Sequence, residues 1–138
     1  MPDKVTKSQE AWRQSLDEES FCVLREHATE RAFSGEYYDH HADGTYVCKG
    51  CGNPLFGSDT KFESGTGWPS YFKPLSDASV AYTRDLGYGM LRTEVHCAAC
   101  DGHLGHVFED GPPPTHQRYC INSASLVFRP KGSPKGAA

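Results

Sequence analysis

The chain has 138 residues and a formal net charge of −4, with 37% hydrophobic and 23% charged residues. That is the length of one ordinary domain and enough chain to bury a real core. No block of Lys or Arg breaks the acidic balance, which excludes the electrostatic footprint of a nucleic-acid or anionic-membrane binder. Fourteen Gly and nine Pro imply frequent turns and favour strands and loops over a helix bundle. The opening residues hold no apolar run resembling a signal peptide, and no stretch is long enough to span a bilayer, so a cytoplasmic location is expected. Six cysteines in that reducing setting point to metal binding or catalysis before structural disulfides.

In chain order, Trp12 and Leu16 lie four apart and Phe21 and Leu24 three apart, as on one face of short helices. Asp17 suits the N-cap of the second, with Glu18 and Glu19 in its first turn. From about Gly35 the pattern changes to short apolar runs between turn signals. Strands are predicted at Gly44–Val47, Val80–Arg84, Met90–Val95, His106–Phe108, Arg118–Ile121 and Ala124–Arg129. Strands at this spacing, without alternating helices, predict a mainly β fold of two antiparallel sheets, as a sandwich or open barrel. The organisation expected is an N-terminal arm over 1–19, one domain over 20–129 and a disordered tail over 130–138.

Cys48-Lys-Gly-Cys51 and Cys97-Ala-Ala-Cys100 form two C-x-x-C knuckles. Two residues between thiolates let both sulfurs turn to one point, and two such hooks complete a tetrahedral sulfur site for zinc. Redox dithiols are the alternative for either knuckle alone, but the pair favours one zinc ion per chain. Four protein thiolates leave no open position, so the expected role is structural. Tying chain segments this far apart is worth about 4 kcal/mol, by analogy with loop closure by a disulfide.

Cys22 and Cys120 remain. If the segment Gln117-Arg-Tyr-Cys-Ile-Asn is a strand, Arg118, Cys120 and Asn122 share its polar face, opposite Tyr119 and Ile121. A guanidinium beside a thiol favours the thiolate, the form a nucleophile needs. A buried, inert Cys120 with Arg118 in a surface ion pair fits the segment equally well.

The next signal is Cys100-Asp-Gly-His-Leu-Gly-His-Val-Phe-Glu-Asp-Gly, where His103 and His106 follow the second knuckle in a glycine-punctuated loop. Imidazoles near a thiolate can supply protons close to neutral pH. Zinc ligation is their alternative role, made redundant by the four thiolates. Asp110 is a candidate acceptor that orients one imidazole, or else a turn residue before Gly111-Pro112. In Phe62-Glu-Ser-Gly-Thr-Gly-Trp-Pro-Ser-Tyr-Phe, Trp68 sits in irregular backbone fixed by Pro69. It is either a core residue or the apolar wall of a small pocket.

Read together, these segments resemble the B-type methionine sulfoxide reductases. The matching stretches are Gly44-Thr-Tyr-Val-Cys48 with Cys51, Ser64-Gly-Thr-Gly-Trp-Pro-Ser70, Glu94-Val-His-Cys97 through Asp110-Gly111, and Arg118-Tyr-Cys-Ile-Asn-Ser-Ala-Ser-Leu126. Arg25 to Tyr37 resembles the family's entry segment, and the likeness covers roughly residues 20–128 in the same order. The resemblance implies two antiparallel sheets, a zinc site remote from the chemistry, and reduction of methionine-R-sulfoxide in oxidised proteins and, less well, as the free amino acid. It implies Cys120 as nucleophile, Arg118 as its thiolate-stabilising partner, His103, His106 and Asp110 as the polar catalytic shell, Asn122 as a pocket residue and Trp68 as the indole against the substrate's methyl group. The Cys120 sulfenic acid left by the reaction would be recycled by thioredoxin.

One departure stands out. Many relatives carry a resolving cysteine within Ser-Gly-x-Gly-Trp, and here that position is Thr66. Either Cys22 resolves the sulfenic acid from the N-terminal segment, or an outside thiol reduces it directly. Two rivals from other classes are a zinc-ribbon interaction module, which leaves Cys120 and Arg118 unexplained, and a general disulfide oxidoreductase working through a C-x-x-C.

Overall fold

The computed structural model describes residues 8–26, 28–33, 35, 37–38, 40, 42–62, 64–76, 78–85 and 92–130. Among these residues two short helices, α1 (Gln9–Ser15) and α2 (Glu18–Glu26), precede nine strands. These are β1 (Gly44–Cys48), β2 (Pro54–Gly57), β3 (Lys61–Phe62), β4 (Ser70–Tyr71), β5 (Val80–Asp85), β6 (Arg92–Cys97), β7 (His103–Phe108), β8 (Arg118–Ile121) and β9 (Leu126–Pro130). They form a small sheet, β2-β1-β9, and a larger one, β3-β4-β8-β7-β6-β5, with every pairing antiparallel. The mainly β architecture read from the sequence is the observed one.

The helices start where their caps allow. Ser8 accepts the Ala11 N–H, and Asp17 accepts the Ser20 N–H, satisfying donors that a first turn leaves open. Their apolar faces carry Trp12, Phe21 and Leu24 into one core with Tyr46, Phe56, Tyr71, Val95, Leu104 and Ile121. Phe56 of the small sheet stacks on Tyr71 of the large one at 4.5 Å between centroids, which joins the sheets directly.

Several boundaries differ from expectation for local reasons. Strands β2, β3 and β4 are too short, at four, two and two residues, to show an alternating pattern. The last strand begins at Leu126 rather than Ala124, because Ser123–Ser125 is a 3-10 turn closed by the Ser125 N–H on the Asn122 carbonyl. Strand β7 starts at His103, inside what reads as loop. Met90, most of the expected tail and residues 1–7 of the expected arm lie outside the described residues.

Candidate active site and metal centre

Strand β8 alternates as its sequence dictates: Tyr119 and Ile121 are buried in the core, while Arg118 and Cys120 are half-buried on the opposite face. In register, Cys120 stands between Ser70 of β4 and His106 of β7, and Arg118 stands opposite Phe108. Gly105 makes that closeness possible, since a Cβ there would collide with the Cys120 carbonyl. The face opens into a cavity of about 270 Å³ lined by Thr66, Trp68, His106, Phe108, Cys120 and Asn122, with Thr29, Arg92, Gly105 and Arg118 completing it.

The surroundings of the thiol are polar. Thr66 Oγ1 lies 3.9 Å from Cys120 Sγ, and Ser64 links Thr66 to Ser70 through oxygen contacts of 2.8 and 2.7 Å. Burial pushes the Cys120 thiol above its ordinary pKa, while the Thr66 hydroxyl and the Arg118 charge pull it back only in part. The effect of Arg118 expected from the sequence is present, but desolvation outweighs it. Arg118 is itself shared. Its Nε and Nη2 donate to the two Asp110 oxygens at 2.8 and 3.1 Å, and its guanidinium lies 4.5 Å above the Phe108 ring. Asp110, read from the sequence as an imidazole's acceptor, instead grips Arg118, which holds its carboxyl below the usual carboxylate range.

The carboxylate that His103 meets is Glu94. Its Oε2 lies 2.6 Å from Nδ1 of the buried His103. Glu94 also stands opposite His106 in the β6–β7 ladder. His103 and His106 are three apart and in a regular strand would face opposite ways. A register shift, with Gly105 opposite Val95 but His103 opposite His96, turns both to one face. Their rings meet edge to face at 5.5 Å. His106 lines the cavity, and His103 stands behind it.

The other wall hangs from Glu30, which the sequence reading missed. The Glu30 carbonyl accepts the Trp68 Nε1–H at 2.9 Å, and its N–H donates to Asn122 Oδ1 at 2.9 Å. Its buried carboxylate accepts the Ala124 N–H at 2.8 Å. Asn122 is buried, and its Nδ2 donates to the Leu104 carbonyl, so the amide braces this wall. Main-chain contacts across this much sequence leave no pattern to read. Glu94 was equally hidden, because its partner is set by the register shift.

The metal centre lies away from the cavity lining. Cys48, Cys51, Cys97 and Cys100 bring their sulfurs within 4.8 Å of one another, placed to hold a metal ion. Cys48 and Cys100 are 3.7 Å apart and Cys51 and Cys97 3.5 Å. A tetrahedron with metal–sulfur bonds of about 2.3 Å has edges of roughly 3.8 Å, so the set fits such a site. Hydrogen bonds from Cys100, Cys48 and Cys51 hold the Cys97 thiol far below the ordinary range. The helices clasp this centre: Lys49 pairs with Asp17 at 2.8 Å, and Arg25 Nη2 donates to the Cys100 carbonyl at 2.7 Å. Lys49 holds the Asp17 carboxyl down at about 2. Cys22 sits half-buried on α2, outside the residues lining the cavity.

The SelR domain family matches residues 16–130. A peptide methionine sulfoxide reductase MsrB of Bradyrhizobium diazoefficiens is 61% identical over 129 residues, covering 94% of this chain and 93% of that protein. Proteins of the same name from Thiobacillus denitrificans and Agrobacterium fabrum are 58% and 56% identical, covering 91% and 92% of this chain and 95% and 94% of theirs.

Proposed function

We propose, for a chain that belongs to the SelR-domain family of peptide methionine sulfoxide reductases, that Cys120 reduces methionine-R-sulfoxide by direct attack on sulfur. The observation that carries this reading is the half-buried Cys120 thiol in a small cavity with an indole on one wall and His106 directly across the ladder.

The substrate's methyl group rests on Trp68 and its oxygen points to His106. The Cys120 thiol passes its proton to His106 as Sγ bonds to the sulfoxide sulfur, and His106 returns that proton to the oxygen as the S–O bond weakens. General acid help of this kind is worth ~10²–10⁴-fold. His103, held by Glu94, fixes the histidine pair as a positioning residue. Arg118 lowers the cost of negative charge on Sγ and is oriented by Asp110. The oxygen then shifts to Sγ as the S–O bond and the transient Sγ–sulfur bond break, releasing methionine and leaving a sulfenic acid whose O–H carries the proton first held by the thiol. Thiol plus sulfoxide thus balances sulfenic acid plus methionine. A raised thiol pKa is compatible with this, since no net proton is lost.

Cys22 then attacks the sulfenic sulfur, forming a disulfide and releasing water, and thioredoxin restores both thiols by exchange. The metal is zinc, held by Cys48, Cys51, Cys97 and Cys100 in a structural role and taking no step in the reaction. Six cysteines, four of them assigned to zinc and two left as thiols, suit the reducing cytoplasm. Among the described residues no helix is long and apolar enough to cross a membrane. Turnover of both epimers of methionine sulfoxide, in peptides and as the free amino acid, tests the reading with thioredoxin or a small dithiol as reductant. The R epimer is consumed and the S epimer is left unreacted; equal consumption of both overturns it.

A further inference from the structure

We propose that Phe33 forms an aromatic rim beside the cavity that binds apolar residues flanking methionine sulfoxide in an unfolded polypeptide, an inference that rests on the reductase reading above. Phe33 is 60% exposed, more than any other large hydrophobic side chain among the described residues. An exposed Phe alone means little. This one also has φ +65°, the left-handed region that bulky side chains avoid. Such backbone persists where the surroundings hold it, and it clusters at binding sites.

What holds it is the pocket loop. The Phe33 N–H donates to the Gly67 carbonyl at 2.7 Å. Gly67 has φ +94° and is buried beneath the ring: a Cβ there would lie 2.8 Å from Phe33 and 2.9 Å from Ala32. Gly67 sits between Thr66 and Trp68, both in the cavity wall. The ring is therefore fixed one residue from the indole proposed to touch substrate. Among the described residues its ring packs edge-on against Tyr38 at 5.0 Å, and most of its apolar surface stays exposed.

The size of the cavity indicates the occupant of the rim. At about 270 Å³ the cavity lies at the small end of ligand pockets and has room for a side chain rather than a folded surface. The polypeptide carrying that side chain must cross the rim, where an aromatic face favours apolar neighbours over polar ones. Buried methionines in a folded protein have such neighbours, and they become accessible when the protein unfolds.

The test compares kcat/KM for acetyl-methionine-R-sulfoxide amide with two short peptides, one flanking the sulfoxide with leucines and one with serines. The parent favours the leucine peptide over the serine peptide by about tenfold, a ratio an aromatic anchor readily supplies. Phe33→Asn, whose residue tolerates left-handed backbone, erases that preference and leaves the blocked amino acid unchanged. Phe33→Tyr retains it. A parent indifferent to the flanks, an unaltered preference in Phe33→Asn, or an equal loss on all three substrates overturns the rim. If the parent reduces none of the three, the reductase reading itself fails.

Discussion

The main-chain carbonyl of Glu30 accepts the indole N–H of Trp68 at 2.9 Å, so one wall of the cavity is positioned from a segment that follows the helices. The same residue fixes Asn122 through its N–H and anchors itself by its carboxylate on the Ala124 N–H. Glu30→Ala strands that buried donor and should cost about 1–3 kcal/mol of stability. KM for methionine-R-sulfoxide should rise more than kcat falls, with a shift in Trp68 emission. Glu30→Gln keeps an acceptor and should restore both. Burial raises the Glu30 pKa, so folding takes up a proton between the ordinary value and the raised one. That contribution is present below the unfolded pKa of about 4.3 and is lost as pH rises through the folded value. Across this window the parent's melting temperature should fall relative to that of Glu30→Gln; parallel curves would exclude the assignment.

Because burial keeps Cys120 protonated, its alkylation by iodoacetamide should be slow at pH 7 and accelerate in the alkaline range. Thr66→Val removes a stabilising hydroxyl and Arg118→Ala a charge, and each should move that profile further up. Mass spectrometry resolves Cys120 from the other cysteines. Cys120→Ser should fold, keep its metal and lose turnover; activity within about tenfold of the parent, or 1.4 kcal/mol of barrier, would remove Cys120 from the chemistry.

Strand β8 shows what the sequence makes legible. Its predicted limits, Arg118–Ile121, are the observed ones, because alternation of polar and apolar residues is imposed by the two environments it separates. The knuckles were legible for a similar reason, since short-range spacing sets where two sulfurs can meet. Contacts decided by register were not. Glu94 reaches His103, and His103 shares a face with His106, only because β7 slips against β6. Asp110 stood out in the sequence as a carboxylate near the histidines, but its partner depended on the turn that brings it back to Arg118. Glu30 acts largely through its main chain, which any residue type would supply.

Changing Cys48, Cys51, Cys97 or Cys100 to Ser should release the metal and lower stability together, since binding energy in such sites is folding energy. The clasp through Asp17–Lys49 and Arg25–Cys100 localises the effect. Hydrogen exchange should quicken first in α1 and α2 and last in the β7–β8 ladder. Metal content by elemental mass spectrometry should be one zinc per chain. A chelated protein that melts at the parent's temperature would contradict the structural role.

The same clasp bears on Cys22. A Cys22–Cys120 disulfide needs the two Cα atoms within about 7 Å. Cys22 lies on α2, outside the cavity lining, and α2 is tied to the metal knuckle by Arg25. On the proposed reading the helix leaves this seat before resolution, and partial desolvation with the Glu26 carboxylate keeps the Cys22 thiol above its ordinary pKa while it is seated. One equivalent of sulfoxide without reductant should still leave a Cys22–Cys120 disulfide and no accumulated sulfenic acid, at a rate set by that opening. Arg25→Ala loosens the clasp and should speed disulfide formation without changing methionine release. Cys22→Ser should turn over once at the parent's rate, recycle poorly with thioredoxin, and recover with a small dithiol that enters the cavity itself. Peptide mass spectrometry after a single turnover decides the question. Free Cys22 beside a Cys120 sulfenic acid would mean that an outside thiol reduces Cys120 directly, and that Cys22 serves α2 as a packing residue.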